Sequence, residues 1–205
     1  VRGIYKTLNS NSTESESSLV TALRSFNSDG FSLGSNANIN DNGNNFVAWN
    51  WKANGSGSSN TNGSITSTVS ANTDAGFSIV SYTGTGSNAT VGHGLTSAPG
   101  FIVVKTRNNT GDWMVFYGDN TDFLKLNETN ATEDLAAVWN DTSPTSSVFS
   151  LGSNGDVNTN GRTYIAYCFQ SVDGYSKVGS YTGNGNADGT FVYTGFRPAF
   201  LLVKE

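Results

Sequence analysis

The strongest constraint on the fold of this chain is that it repeats itself out of step with its own ends. Phe31-Ser32-Leu33-Gly34-Ser35-Asn36 returns 118 positions later as Phe149-Ser150-Leu151-Gly152-Ser153-Asn154. At that spacing the match runs on without a gap, setting Phe46-Val47-Ala48-Trp49-Asn50-Trp51 against Tyr164-Ile165-Ala166-Tyr167-Cys168-Phe169. A second match has an offset of 99. It joins Ser81-Tyr82-Thr83-Gly84 to Ser180-Tyr181-Thr182-Gly183 and reaches Pro99–Lys105 against Pro198–Lys204. Self-similarity at fixed spacing means one structural unit used more than once, and such reuse serves length or multivalency more often than catalysis.

The two offsets cut the chain into four parts. Residues 1–52 read as the C-terminal half of a first repeat and 53–75 as a Gly/Ser/Asn linker. Residues 76–174 read as one complete unit, and 175–205 as the N-terminal half of a next repeat. The surplus between the offsets falls in the tract around Gly55–Gly63, whose composition is that of a flexible connector. The only Met is Met114, and the chain ends inside a strand-like apolar run, so the expectation is a piece of a longer polypeptide.

Short alternating or apolar runs dominate, as β-strands require. Phe77–Tyr82 alternates, and Phe101–Lys105 reads as a buried central strand. Trp113–Tyr117 reads as its hairpin partner, and Tyr164–Phe169 closes the unit. Thr132-Glu133-Asp134-Leu135 places Thr before two acids, a helix start, and predicts one short helical turn. The fold class expected is all-β: tandem antiparallel β-sandwich modules of jelly-roll type, with a short helical turn.

Charged residues are 13% of the chain and the formal net charge is −5, with no basic cluster. That argues against nucleic-acid binding, which needs a concentrated positive face. No apolar run is long enough to span a bilayer as a helix, so membrane insertion is not expected.

Chemistry-bearing residues are sparse. The single His93 has no carboxylate or nucleophile beside it in sequence, and the single Cys168 aligns with Asn50, so neither reads as catalytic. One His and one Cys do not make a nitrogen/sulfur metal site. The loops Asn40–Asn44 and Asn154–Asn158 hold oxygen ligands of the kind Ca²⁺ takes, without EF-hand spacing, and read as turns. Among Glu133, Asp134, Asp112 and Asp119 no pattern selects a pair for glycoside cleavage. The expectation is no catalytic residue, no cofactor and no metal. Trp49, Trp51 and Trp113 are the candidates for stacking on a sugar if they are exposed, and for the core if they are buried.

Ser25–Gly34, Val47–Lys52, Trp139–Phe149, Tyr164–Phe169, Gly179–Gly185 and Phe191–Phe200 together resemble a repeated module of tailed-bacteriophage structural proteins. The likeness is to tail-fibre and virion-surface proteins of aquatic phages, and it spans nearly the whole chain outside 53–75. It implies a concanavalin-like sandwich, a virion or extracellular location and no catalytic residues. The function expected is a non-enzymatic segment of a tail fibre or surface appendage; a carbohydrate-binding, lectin-like module for host glycans is the alternative. The partners expected are other copies of the chain or flanking repeats, in an extended assembly rather than a closed monomer.

Overall fold

The computed structural model describes residues 3–205; the first two residues of the 1–52 segment lie outside the described residues. Its strands are β1 Lys6–Thr7, β2 Ser17–Ser18, β3 Leu23–Phe26, β4 Phe31–Leu33, β5 Ser58–Asn60, β6 Ser67–Asn72 and β7 Phe77–Thr83. They continue with β8 Ala89–Gly92, β9 Phe101–Thr106, β10 Met114–Phe116, β11 Asp122–Lys125, β12 Glu133–Asp134, β13 Val148–Leu151 and β14 Thr163–Phe169. Single helical turns are α1 Ala37–Asn40, α2 Ala136–Trp139 and α3 Gly155–Asn158. The protein is therefore mostly β, with antiparallel strand pairing.

Eight strands form one sheet in the order β12-β11-β10-β9-β14-β7-β6-β5. The last strand of the sequence, β14, lies in its middle, paired to β7 from Thr163↔Thr83 to Phe169↔Phe77 and to β9 from Tyr164↔Thr106 to Phe169↔Phe101. Alternation then sorts side chains to two faces. Tyr164, Ala166 and Cys168 join Val80, Tyr82, Ile102, Val104 and Met114 in the main core. The antiparallel pair β8–β13 brings Val91, Phe149 and Leu151 to that core, and α2 and α3 add Trp139 and Val157. On the other face Tyr167, Val103, Trp113, Val115 and Leu124 form a smaller cluster against Leu8.

Residues 9–16 are pinned to the central part of the chain. Trp113 Nε1 donates to Asn9 O and Ser12 O at 3.0 and 3.2 Å, Glu16 N donates to Arg107 O at 2.7 Å, and Arg107 forms a bidentate pair with Glu16 at 3.0 Å. Lys105, fully buried, donates to Thr13 O and Thr106 O. Lys105 is thus a buried tether between the end of the central strand and the N-terminal segment.

Hydrogen bonds recur between the matched segments. In the turn 34–40, Asn36 Oδ1 accepts from Asn38 N, and Asn40 Nδ2 donates to Gly34 O at 2.8 Å. In 152–158, Asn154 Oδ1 accepts from Asp156 N, and Asn158 Nδ2 donates to Gly152 O at 2.9 Å. Gly34 and Gly152 are both needed, because a Cβ there would run into the carbonyl of Thr21 or of Ala137. Upstream, β1 pairs with β2 as Lys6↔Ser18 and Thr7↔Ser17, while β11 pairs with β12 as Asp122↔Asp134 and Phe123↔Glu133.

Three expectations are corrected. The 53–75 tract is not a connector: it supplies β5 and β6, with Ile65 and Val69 buried in the core. Gly55 and Gly57 at positive φ turn the chain into β5, and the small Ser and Thr side chains of 67–70 suit a strand near the sheet edge. Residues 46–52, matched to β14, form no strand and are exposed. A strand needs a ladder partner, and 46–52 lacks the two flanking strands that hold β14. The helical turn begins later than Thr132, because Glu133 and Asp134 pair with β11 and Glu133 reaches Lys125 at 3.2 Å; α2 starts after Leu135.

Candidate functional site: an aromatic cluster at the sheet end

The register of β14 between β7 and β9 places Phe169 opposite both Phe77 and Phe101 at one end of the sheet. Their ring centroids lie 4.9 and 5.5 Å from that of Phe169. Trp51 adds to the group, 6.1 Å from Phe169 and 6.4 Å from Phe77. Phe200 follows, 6.1 Å from Trp51 and 5.6 Å from Trp49. Trp51 is held there through its neighbours: Asn72 Nδ2 donates to Lys52 O at 3.0 Å, and Asn54 N donates to Ser70 Oγ at 2.9 Å. Trp49 is 62% exposed, Trp51 48% and Phe200 46%.

Of the three sequence candidates, the structure brings Trp49 and Trp51 together and sets Trp113 apart. Trp113 is 6% exposed, stacked 6.5 Å from Tyr167, with its indole N–H spent on the N-terminal segment. The sequence candidates did not include Phe77, Phe101 and Phe200, which the structure adds to the cluster with Phe169. The repeat carried the signal, since Phe101 aligns with Phe200 and Phe169 with Trp51.

Groups singled out for chemistry are engaged in the fold. His93 is buried; its Nδ1 accepts from Leu95 N and its Nε2 lies 3.1 Å from Thr145 O, the geometry of a neutral imidazole. Burial lowers its pKa, with the Thr145 contact opposing. Burial pushes the Cys168 thiol up to about 12, which makes it inert at neutral pH. Asp112 and Glu133 bracket Lys125 at 3.6 and 3.2 Å, and Asp119 accepts from Thr121 N and Oγ1. In the Asn-rich loops Asn40 donates to Gly34 O, Asn44 to Asp41 Oδ2, and Asn154 accepts from Asp156 N, and no His/Cys/Asp/Glu group that could hold a metal occurs among the described residues. Among those residues no helix is long and apolar enough to cross a membrane.

A groove of about 580 Å³ beside β5 and β6 is lined by Asn54, Ser58, Asn60, Val69 and Thr73, with no aromatic ring in its wall. The cluster and the groove thus offer different chemistry: flat apolar surface in one, hydroxyl and amide groups in the other.

All of residues 1–205 match the family described as Domain of unknown function (DUF7483). The chain belongs to that family. No curated protein and no solved structure matches it. The DUF7483 description carries no activity, and a fold by itself does not fix one.

Proposed function

We propose that this DUF7483 domain is a non-enzymatic structural segment of a tail fibre or virion-surface appendage. In this reading it is built from tandem β-sandwich modules of jelly-roll or concanavalin-like type and works outside the cell as part of a particle. The partners are other copies or flanking repeats of the same chain. The observation that carries the reading is the recurrence of one hydrogen-bonding pattern, Asn36/Asn40 on Gly34 and Asn154/Asn158 on Gly152, within matched sequence. A module made twice with its structural asparagines kept, and with His93 and Cys168 spent on packing, fits a scaffold better than a catalyst. The phrase resemblance to phage fibre proteins gives the particle its identity in this reading. Gold-labelled antibody against the domain, imaged by electron microscopy on purified particles, tests it. Regular labelling of a fibre or surface projection is the expected result, and label confined to lysate debris overturns it.

The lectin-like alternative is favoured by one observation, the exposure of Trp49 and Trp51 beside Asn50. Sugar stacking needs an open ring face. Here the rings present edges to one another, with Trp51 at 78° to Phe200 and 76° to Phe169. Titrating oligosaccharides against tryptophan fluorescence separates the readings: a saturable change lost in Trp49→Ala and Trp51→Ala argues for the lectin.

A further inference from the structure

Exposed large apolar side chains are not scattered over this protein. Among the described residues every one except Leu135 falls within 20–51 or 175–203. Eight of them have fully or almost fully buried repeat equivalents. Phe31, Leu33, Phe46 and Val47 correspond to Phe149, Leu151, Tyr164 and Ile165, all fully buried. Tyr181, Leu201, Leu202 and Val203 correspond to Tyr82, Ile102, Val103 and Val104, also buried. In the covered set, the first group belongs to β13 and β14, and the second to β7 and β9. Those strands bury one another: β14 is laddered on both sides by β7 and β9. The two exposed groups are therefore complementary halves of one arrangement seen complete elsewhere in the same molecule.

We propose that residues 175–205 dock on residues 31–52 of the same chain and complete a second sheet centre. Residues 46–51 form its middle strand between 176–182 and 200–205. The register follows from β14: Trp51 lies opposite Ser176 and Phe200, and Ala48 opposite Gly179 and Val203. One contact of this arrangement is already made, for the Trp51–Phe200 ring pair at 6.1 Å repeats the Phe169–Phe101 pair at 5.5 Å. Asn40 gains the remaining bonds of its counterpart. Asn158 accepts from Thr85 N and donates to Ser87 O, and the residues aligned with Thr85 and Ser87 are Asn184 and Asn186.

The occupant is the chain's own segment because both halves are anchored at the same end of the sheet. Lys52 is bonded to Asn72, whose strand partner is Phe77, while Ser176 bridges to Val172 and donates to Gln170 O, next to Phe169. Residues 46–51 lead into one anchor and 176–182 lead away from the other, the chain directions that an antiparallel pair needs. Tethering holds the halves at an effective concentration on the order of millimolar, which favours closure over capture of a second molecule. An extended assembly of copies would then use surfaces other than this pair. The inference rests on the repeated-unit part of the proposed function and not on the virion.

The test introduces Ala48→Cys with Val203→Cys, register-opposed positions, into the 205-residue chain and oxidises it gently with glutathione disulfide. Cys168 is buried and does not compete. Hydrogen exchange on the unmodified protein provides a second readout that needs no substitution. The expected result is an intrachain disulfide in most molecules, absent when Ala48→Cys is paired with Val192→Cys. Amides 47–50 and 201–204 should exchange roughly 100-fold or more slowly than in an unstructured peptide. Disulfide-linked dimers would overturn closure and make a second copy the occupant, leaving the repeated unit standing. No disulfide, together with exchange at the unstructured rate, would overturn the pairing itself.

Discussion

Replacing Asn158 with Ala is the sharpest test of how the complete unit is held together. Its side chain is fully buried and binds three main-chain groups, two in the 85–87 turn and one at Gly152. Oδ1 accepts from Thr85 N at 2.8 Å, and Nδ2 donates to Ser87 O at 2.7 Å and to Gly152 O at 2.9 Å. Each bond is worth about 1 kcal/mol net; removing the amide strands the Gly152 carbonyl in a buried place, while Thr85 and Ser87 lie on an exposed turn where water takes over. Together these give a loss of about 2–4 kcal/mol, and a melting temperature lower by roughly 4–16 °C for a chain of this size. Urea unfolding followed by far-UV circular dichroism and tryptophan fluorescence measures it. The control is Asn154→Ala, which deletes one capping bond to Asp156 N and should cost about 1 kcal/mol. Asn158→Asp keeps the acceptor but aims a carboxylate at two carbonyls, so its folded pKa is raised above the unfolded value near ~3.9. Stability of that variant is then best at low pH and falls as pH rises through the folded pKa. A loss below about 1 kcal/mol in Asn158→Ala, or equal losses in the Ala variants at 154 and 158, would refute the reasoning.

Trp113→Phe removes the indole donor to Asn9 O and Ser12 O and should cost about 1–2 kcal/mol, with faster hydrogen exchange confined to residues 5–19. His93 has its pKa lowered by burial, so its contribution is full above the unfolded value near ~6.5 and is lost as pH falls through the folded pKa. The difference in unfolding free energy between wild type and His93→Gln should therefore shrink on acidification. Asp156 has its pKa raised, by burial first and by Asp112 second, so its contribution is present below the unfolded pKa and lost as pH rises through the folded one. Asp156→Asn should lose less stability than wild type between mildly acid and neutral pH, as read from unfolding midpoints.

Much of the sheet was legible because its central strands carry strong signals. Phe101–Lys105 is a continuous apolar run and became β9, with Met114–Phe116 as its antiparallel partner. The Asn-Gly turns were legible because Asn154 and Asn158 satisfy main-chain groups that any such turn leaves open. What escaped has a common physical origin: the outcome depends on distant neighbours. Ser67–Asn72 has connector composition, yet β7 offers it a ladder. Phe46–Trp51 has strand composition, yet no strand flanks it. Glu133 and Asp134 look like helix-start acids until β11 comes within reach. In the candidate site, exposure decided everything, and alternation alone does not say whether Trp49 or Trp113 faces solvent.

The central place of β14 has a consequence for the order of events during synthesis. β7 and β9 both leave the ribosome before the strand that joins them, and each carries an open edge until residue 169 has been made. That wait spans more than sixty residues, a high contact order that slows closure. During the same interval an earlier sequence of the same character, Phe46–Trp51, is already outside and tethered to β6 through Lys52 and Asn72. The slot between β7 and β9 is thus offered first to the wrong copy of its own filling. Two positions tell the copies apart: the Tyr164 hydroxyl donates to Gly155 O and accepts from Thr159 N where Phe46 has no hydroxyl, and the Cys168 position is fully buried in the core where Asn50 would bring a carboxamide. A missing pair of hydrogen bonds and a misplaced amide together bias the slot toward the later strand.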